Sequence, residues 1–181
     1  MITPLDPAGY RKTPWKNGGG VTVDIAEHED AWRFGRTPIT TAGPFSDYSG
    51  FDRAQVLVAG RGLVLETPDG CIDVRTPFRP VTFAGETPIV SRLEAGRVEV
   101  VNLIGNRAKV RIDLQVLHAG GAIGRSAGTH LVYAVDGPAA LQVDGQRYPL
   151  AADHTLRIDG ASPTMIACTD GVLLVGSVIC V

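Results

Sequence analysis

Two stretches of the chain carry residue types that could act on a small molecule. The first is Tyr10-Arg11-Lys12-Thr13-Pro14-Trp15-Lys16-Asn17-Gly18-Gly19-Gly20-Val21-Thr22. Three glycines in a row let backbone N–H groups turn toward one point and form an anion-binding nest. Lys16 sets a point charge beside that nest, Asn17 an amide donor and acceptor, and Trp15 an apolar wall. The Gly-Lys-Ser/Thr ending of a phosphate-binding P-loop is absent. The same residues also suit a plain turn entering a strand, with Trp15 as a core anchor. The second stretch is Gly43-Pro44-Phe45-Ser46-Asp47-Tyr48-Ser49-Gly50-Phe51-Asp52-Arg53, a turn-rich segment able to fold over an opening. Asp52 and Arg53 are adjacent, so in a strand they point to opposite faces and at most one faces a pocket. Arg53 could hold a ligand carboxylate in a bidentate fork, or both charges could be solvated on a surface loop.

The elements that must position these residues read as β-strands. Short apolar runs, punctuated by Gly60-Arg61-Gly62, Pro68-Asp69-Gly70, Asp136-Gly137-Pro138 and Asp144-Gly145, predict strands at 21–26, 32–39, 55–59, 63–66, 72–74, 81–83 and 98–104. The second half adds 110–117, 130–135, 139–143, 155–158, 164–167 and 172–179, with larger loops at 87–96 and 119–129. No amphipathic helix longer than about three turns is evident.

Shifting the chain by 75 residues without a gap brings Gly62 onto Gly137, Asp69 onto Asp144, Gly70 onto Gly145, Gly85 onto Gly160, Pro88 onto Pro163 and Gly96 onto Gly171. Val100 meets Val175 and Ile104 meets Ile179. Turn formers recurring at one fixed offset are what a duplicated β-unit leaves behind. The architecture expected is two similar small β-barrels or sandwiches, with residues 1–50 adding outer strands to the first.

Composition narrows the function classes. With 181 residues, 44 % apolar and 20 % charged, the chain can bury a large core without disulfides. A net charge of −2 offers no basic field for nucleic acid. Cys71, Cys168 and Cys180 form no CxxC pair and read as buried small hydrophobes in a reducing compartment. The first residues show neither a basic nor an apolar leader region, and no run approaches a membrane span, so a cytoplasmic location is expected. His28, His118, His130 and His154 form no HxH, and the 75-residue shift pairs none of them, so no metal site is expected.

At the two stretches above, the chain resembles the HutD/Ves family, proteins linked to bacterial histidine utilisation. The matching residues are Pro14 through Thr22 with Ile25 and Ala26, then Trp32-Arg33, then Gly43 through Ser46 with Gly50, Asp52 and Arg53, and finally Asn102. Departures from the family pattern include Val23, Asp24, Gly35, Thr37, Ser49, Val100, Val101 and Ile104. The resemblance implies an all-β double-cupin (bicupin) fold, in agreement with the repeat. It also implies a small-molecule-binding role in histidine catabolism, with formylglutamate a suggested ligand.

The combined expectation is a metal-free, cofactor-free bicupin with halves 1–106 and 107–181 packed as one unit, binding a small anionic metabolite in the first barrel. Lys16 and Arg33 neutralise carboxylates, with Arg53 a lesser candidate; Asn17, Ser46 and Asn102 supply hydrogen bonds, and Trp15 with Phe45 an apolar wall. Neither nucleic acid nor membrane is an expected partner, and a homodimer stays open. The alternative is a cofactor-free isomerase or hydrolase using Lys16 or Asp24 as acid or base. A third reading is a protein-binding scaffold with a vestigial pocket.

Overall fold

The computed structural model describes residues 1–15 and 20–181, so the expectations for Lys16 and Asn17 lie outside the described residues. In chain order the strands are β1 Ile2–Leu5, β2 Arg11–Pro14, β3 Val21–His28, β4 Trp32–Ile39, β5 Gly43–Pro44, β6 Phe51–Ala59, β7 Leu63–Thr67, β8 Gly70–Val74, β9 Val81–Ala84, β10 Val90–Leu93 and β11 Val98–Asn106. They continue as β12 Val110–His118, β13 Ala122–Arg125, β14 Gly128–Ala134, β15 Ala139–Val143, β16 Gln146–Leu150, β17 Thr155–Gly160, β18 Thr164–Asp170 and β19 Val172–Cys180. Among the described residues the one helical element is a 3₁₀ turn at Pro7–Gly9, and no helix is long and apolar enough to cross a membrane.

The chain divides into two units, Tyr10–Val110 and Met1–Gly9 with Arg111–Val181. In the first, one sheet runs β2-β3-β4-β11-β6-β9 and the other β5-β10-β7-β8. In the second, one sheet runs β1-β17-β14-β19-β12 and the other β13-β18-β15-β16. Within the ten strands of the first unit and the nine of the second lie the eight strands of a jelly roll, four in each of two facing sheets, the cupin architecture. The two orders superimpose: β4-β11-β6-β9 on β12-β19-β14-β17, and β5-β10-β7-β8 on β13-β18-β15-β16. The expected duplication is therefore present in the topology. The Asp69-Gly70 and Asp144-Gly145 hairpins occupy equivalent places, β7–β8 and β15–β16, although the turn falls one residue later in the second.

Three expectations need correction. Residues 1–9 do not add to the first half: Ile2 and Pro4 pair with Ile158 and Leu156, closing the free edge of β17. Proline is tolerated there because an edge strand can spare an N–H. The loops expected at 87–96 and 119–129 contain β10 and β13, short strands that carry Ser91 and Arg92 or Gly124 and Arg125 and so lack an apolar run to announce them. Cys71 and Cys180 are exposed, and only Cys168 is buried.

Each unit has its own core, with Leu57, Leu63, Leu65 and Val100 in the first and Leu141, Ile166, Leu173 and Val175 in the second. Each also buries one polar pair at the same register of the duplicated sheet. Gln55 on β6 faces Asn102 on β11, and His130 on β14 faces Ser177 on β19. Gln55 Nε2 donates to Asn102 Oδ1 at 3.0 Å, and His130 Nδ1 lies 3.0 Å from Ser177 Oγ. Such pairs are tolerated inside because each member is hydrogen-bonded.

Burial holds the His130 imidazole below its ordinary pKa of 6.5. The unfolded chain therefore takes up a proton that the folded one resists, and the associated stability is lost as pH falls through about 6.5. Replacing His130 by Asn, which keeps a polar partner for Ser177 but does not titrate, should flatten the fall in urea midpoint between about pH 7 and about pH 5. Parallel curves for the two proteins would show that His130 does not sense pH.

Candidate functional site

The central strands of the first unit present alternate residues to one face, and their register stacks these residues in rows. Ile104 lies between Arg33 and Arg53, Asn102 between Gly35 and Gln55, and Val100 between Thr37 and Leu57. Most of these residues line a cavity of about 450 Å³. Its remaining walls come from Thr13, Pro14, Trp15 and Thr22 on one side and the segment from Pro44 to Phe51 on the other. The Trp15 indole is fixed by donating its Nε1–H to Thr22 Oγ1 at 3.0 Å, and Thr22 Oγ1 meets Thr37 Oγ1 at 3.1 Å.

Arg53 dominates the electrostatics of this cavity. It is only 7 % exposed, and among the described residues it has no ion pair. Its Nη2 donates to Asn102 Oδ1 at 3.2 Å, while its Nε is buried without a partner. Three rings surround the guanidinium carbon, with centroids at 5.0 Å for Phe45, 5.1 Å for Phe83 and 5.5 Å for Tyr48. Aromatic faces offset part of the cost of burying a cation, about 0.5–2 kcal/mol each, but supply no counter-charge. Burial pushes the Arg53 pKa down to about 10, so the group is still a cation at neutral pH.

Arg33 lies in the same row but is already committed. Its Nε and Nη2 fork onto Asp24, the Nη2 bond to Oδ2 being 2.6 Å, and this bond holds its pKa above the usual range against the opposing cost of burial. Asp24 Oδ2 also accepts from Thr13 Oγ1. Gly35 makes room for this carboxylate, since a Cβ there would lie 3.3 Å from Asp24 Oδ1 and 2.8 Å from Val23 O. Asp24 is 4 % exposed, and both its oxygens are taken. It is a structural anchor, not a base facing the cavity.

Of the residues expected at the site, the structure gathers Trp15, Arg33, Phe45, Ser46, Arg53 and Asn102 around one cavity. The weights shift, however: Arg33 is neutralised locally, and Arg53 is left as a buried cation of the cavity with no ion pair among the described residues, while Asp47 at the cavity wall is exposed and bonded to Ser49. Asn102 serves Arg53 and Gln55 together rather than standing free. Gln55, Thr37 and Tyr48 were not expected at the site. Gln55 was legible as the residue two beyond Arg53 on the same strand face. Val100 and Ile104 line the cavity with apolar surface. Among the described residues no group of three His, Cys, Asp or Glu side chains could hold a metal ion.

The HutD family model matches residues 8–175. The chain belongs to the HutD family. Among relatives, a 21.2 kDa protein of Pseudomonas putida, named for the hutC 3′ region, is 28 % identical over 158 residues, 83 % of each chain. Two solved structures share the fold over 100 % of both chains at 24 % identity. One is a conserved protein of unknown function from Pseudomonas aeruginosa PAO1, with a TM-score of 0.88. The other is HutD from Pseudomonas fluorescens SBW25 in a formate condition, with a TM-score of 0.84. The bicupin resemblance read from the two sequence stretches thus holds for this HutD-family chain across nearly its whole length.

The two arginines should respond oppositely to removal. Arg33→Met removes the fork from buried Asp24, leaving it the Thr13 hydroxyl and the more distant Arg11 guanidinium at 3.6 Å, and should destabilise the ligand-free protein by about 2–4 kcal/mol. Arg53→Met removes an uncompensated buried cation and fills its place with apolar volume, so the ligand-free protein should melt at or above the wild-type temperature. Differential scanning calorimetry decides; a large loss for Arg53→Met would mean that its charge is compensated in the folded chain.

Proposed function

We propose that this protein binds a small carboxylate metabolite of histidine degradation and thereby modulates histidine utilisation, N-formylglutamate being the ligand suggested by the family. The observation that carries the reading is Arg53, a buried cation without a carboxylate partner among the described residues, lining a cavity of about 450 Å³. That volume suits a small metabolite, and apolar walls with a few convergent polar groups are the usual makeup of a ligand pocket. A ligand carboxylate supplies the counter-charge that the protein withholds. Lys16 and Asn17 complete the polar set in this proposal, Trp15 and Phe45 flank the ligand, and Ser46 contributes a hydroxyl at the rim. The link to histidine utilisation rests on family membership and on the names of the relatives.

Calorimetric titration with N-formyl-L-glutamate and with glutarate tests the reading. The wild type should bind at least one of them saturably. Arg53→Met should weaken binding by about 30-fold to several thousand-fold, the 2–5 kcal/mol typical of losing one partner of a desolvated charge pair. Lys16→Met should weaken it more than Lys12→Met, whose lysine sits on an exposed strand. Absence of saturable binding, or wild-type affinity in Arg53→Met, contradicts the reading.

A further inference from the structure

Two rings stand over Arg53 from the loop side, Phe45 and Tyr48, and the position of Tyr48 is set from outside the cavity. Tyr48 N donates to Gly85 O at 3.0 Å, Phe51 N to Tyr48 O at 3.0 Å, and Gly85 N to Phe51 O at 2.7 Å. This closed set of backbone bonds lashes the segment to the end of β9. The lashing requires glycine for space rather than for backbone angle. A Cβ at Gly85 would overlap the Tyr48 carbonyl oxygen and lie 2.8 Å from Tyr48 Cβ and 2.9 Å from Phe51 O. No alanine fits without the segment moving away from β9.

Arg107 closes the same segment from its other end. Its backbone N–H donates to Gly50 O at 3.1 Å, and its Nη2 to Phe51 O at 2.8 Å. Its Nε donates to Asp52 Oδ1 at 3.0 Å, and it forks onto Glu86 at 2.7 and 2.9 Å. Glu86 follows Gly85 directly, so both attachments meet at one point of the chain. The Arg107 bond holds the Glu86 carboxyl at about 2, so the clamp is charged throughout the neutral range. Exposed ion pairs of this kind add little to global stability. Their placement on the backbone of a cavity-lining loop gives them a different consequence: an ordered roof spares the ligand the entropy of ordering it.

We propose that Tyr48 contacts the bound carboxylate ligand, and that Gly85 and Arg107 are positioning residues that hold Tyr48 and Phe51 as the roof of the Arg53 site. The inference rests on the carboxylate-binding reading above; it gives Tyr48 a ligand contact and adds Gly85 and Arg107, which lie outside both sequence stretches. The side-chain geometry supports it: Tyr48 and Phe51 meet edge to face at 6.2 Å and 73°, and both line the cavity with Arg53.

A double-mutant cycle read by calorimetric titration with N-formyl-L-glutamate and glutarate tests the proposal. Gly85→Ala and Tyr48→Ala should each weaken binding by about tenfold or more. If Gly85 acts through Tyr48, adding Gly85→Ala to Tyr48→Ala should cost less than about threefold more. Arg107→Ala should weaken binding, and Arg107→Lys, which keeps the charge opposite Glu86 and Asp52, should restore part of the loss. Arg107→Ala also tests the roof independently if Gly85→Ala fails to fold. Additive losses in the cycle, or wild-type affinity in Gly85→Ala or Arg107→Ala, overturn the proposal. If Arg53→Met abolishes binding while Tyr48→Ala leaves it intact, the carboxylate reading stands and this inference falls. If the wild type binds neither probe, both fall together.

Discussion

A guanidinium buried without a carboxylate is the constraint around which the first unit is arranged. Arg53 cannot be dry and unpartnered without cost, so the surrounding residues each remove part of it. Three aromatic rings offer their faces, and Asn102 accepts one N–H. Asn102 is in turn fixed by Gln55, its neighbour in the same row of the sheet. None of these groups carries a negative charge. The contrast with Arg33, forked onto the Asp24 carboxylate that also accepts from Thr13, shows that the same sheet can neutralise an arginine. At Arg53 it stops short, and the proposed carboxylate site rests on that difference.

The duplicated fold clarifies the point by comparison within one chain. The 75-residue offset that places Gln55 and Asn102 on His130 and Ser177 places Arg53 on Gly128. A Cβ at Gly128 would lie 2.6 Å from Ile179 Cδ1, so apolar packing closes over the position where the first unit keeps its cation. Ile179 is the counterpart of Ile104, which in the first unit lines the cavity. The two units thus share a scaffold and a buried polar pair, but only the first carries an arginine at that position.

Much of this was legible in the residues. Asp-Gly hairpins and the ungapped offset reveal two copies of one β-unit because turn geometry restricts residue choice more tightly than core packing does. The two stretches mark walls of the cavity through Pro14, Trp15 and Thr22 in the first and Pro44 to Ser49, Phe51 and Arg53 in the second, because the residues there are unusual for plain strands. The partners of each charge were not legible. Asp24 and Arg33 are nine residues apart and meet only through the β3–β4 pairing, whose register shift between Asp24 and Ala26 no composition rule announces. Arg53 ranks as a lesser candidate in the sequence because at most one of Asp52 and Arg53 faces a pocket and both could be solvated on a loop; the structure turns Asp52 outward to Arg107 and Arg53 into the cavity. The exchange of β1 into the second unit is equally hidden, since a four-residue strand with alternating exposure fits many sheet edges.

The central claim is that a ligand carboxylate completes the charge of Arg53. A crystal structure of the protein grown with saturating N-formyl-L-glutamate tests it most directly. The account predicts a carboxylate group in the cavity within about 3 Å of an Arg53 guanidinium nitrogen, with the Arg33–Asp24 fork unchanged. A ligand bound elsewhere, or held in the cavity through Arg33 with Arg53 untouched, would contradict it.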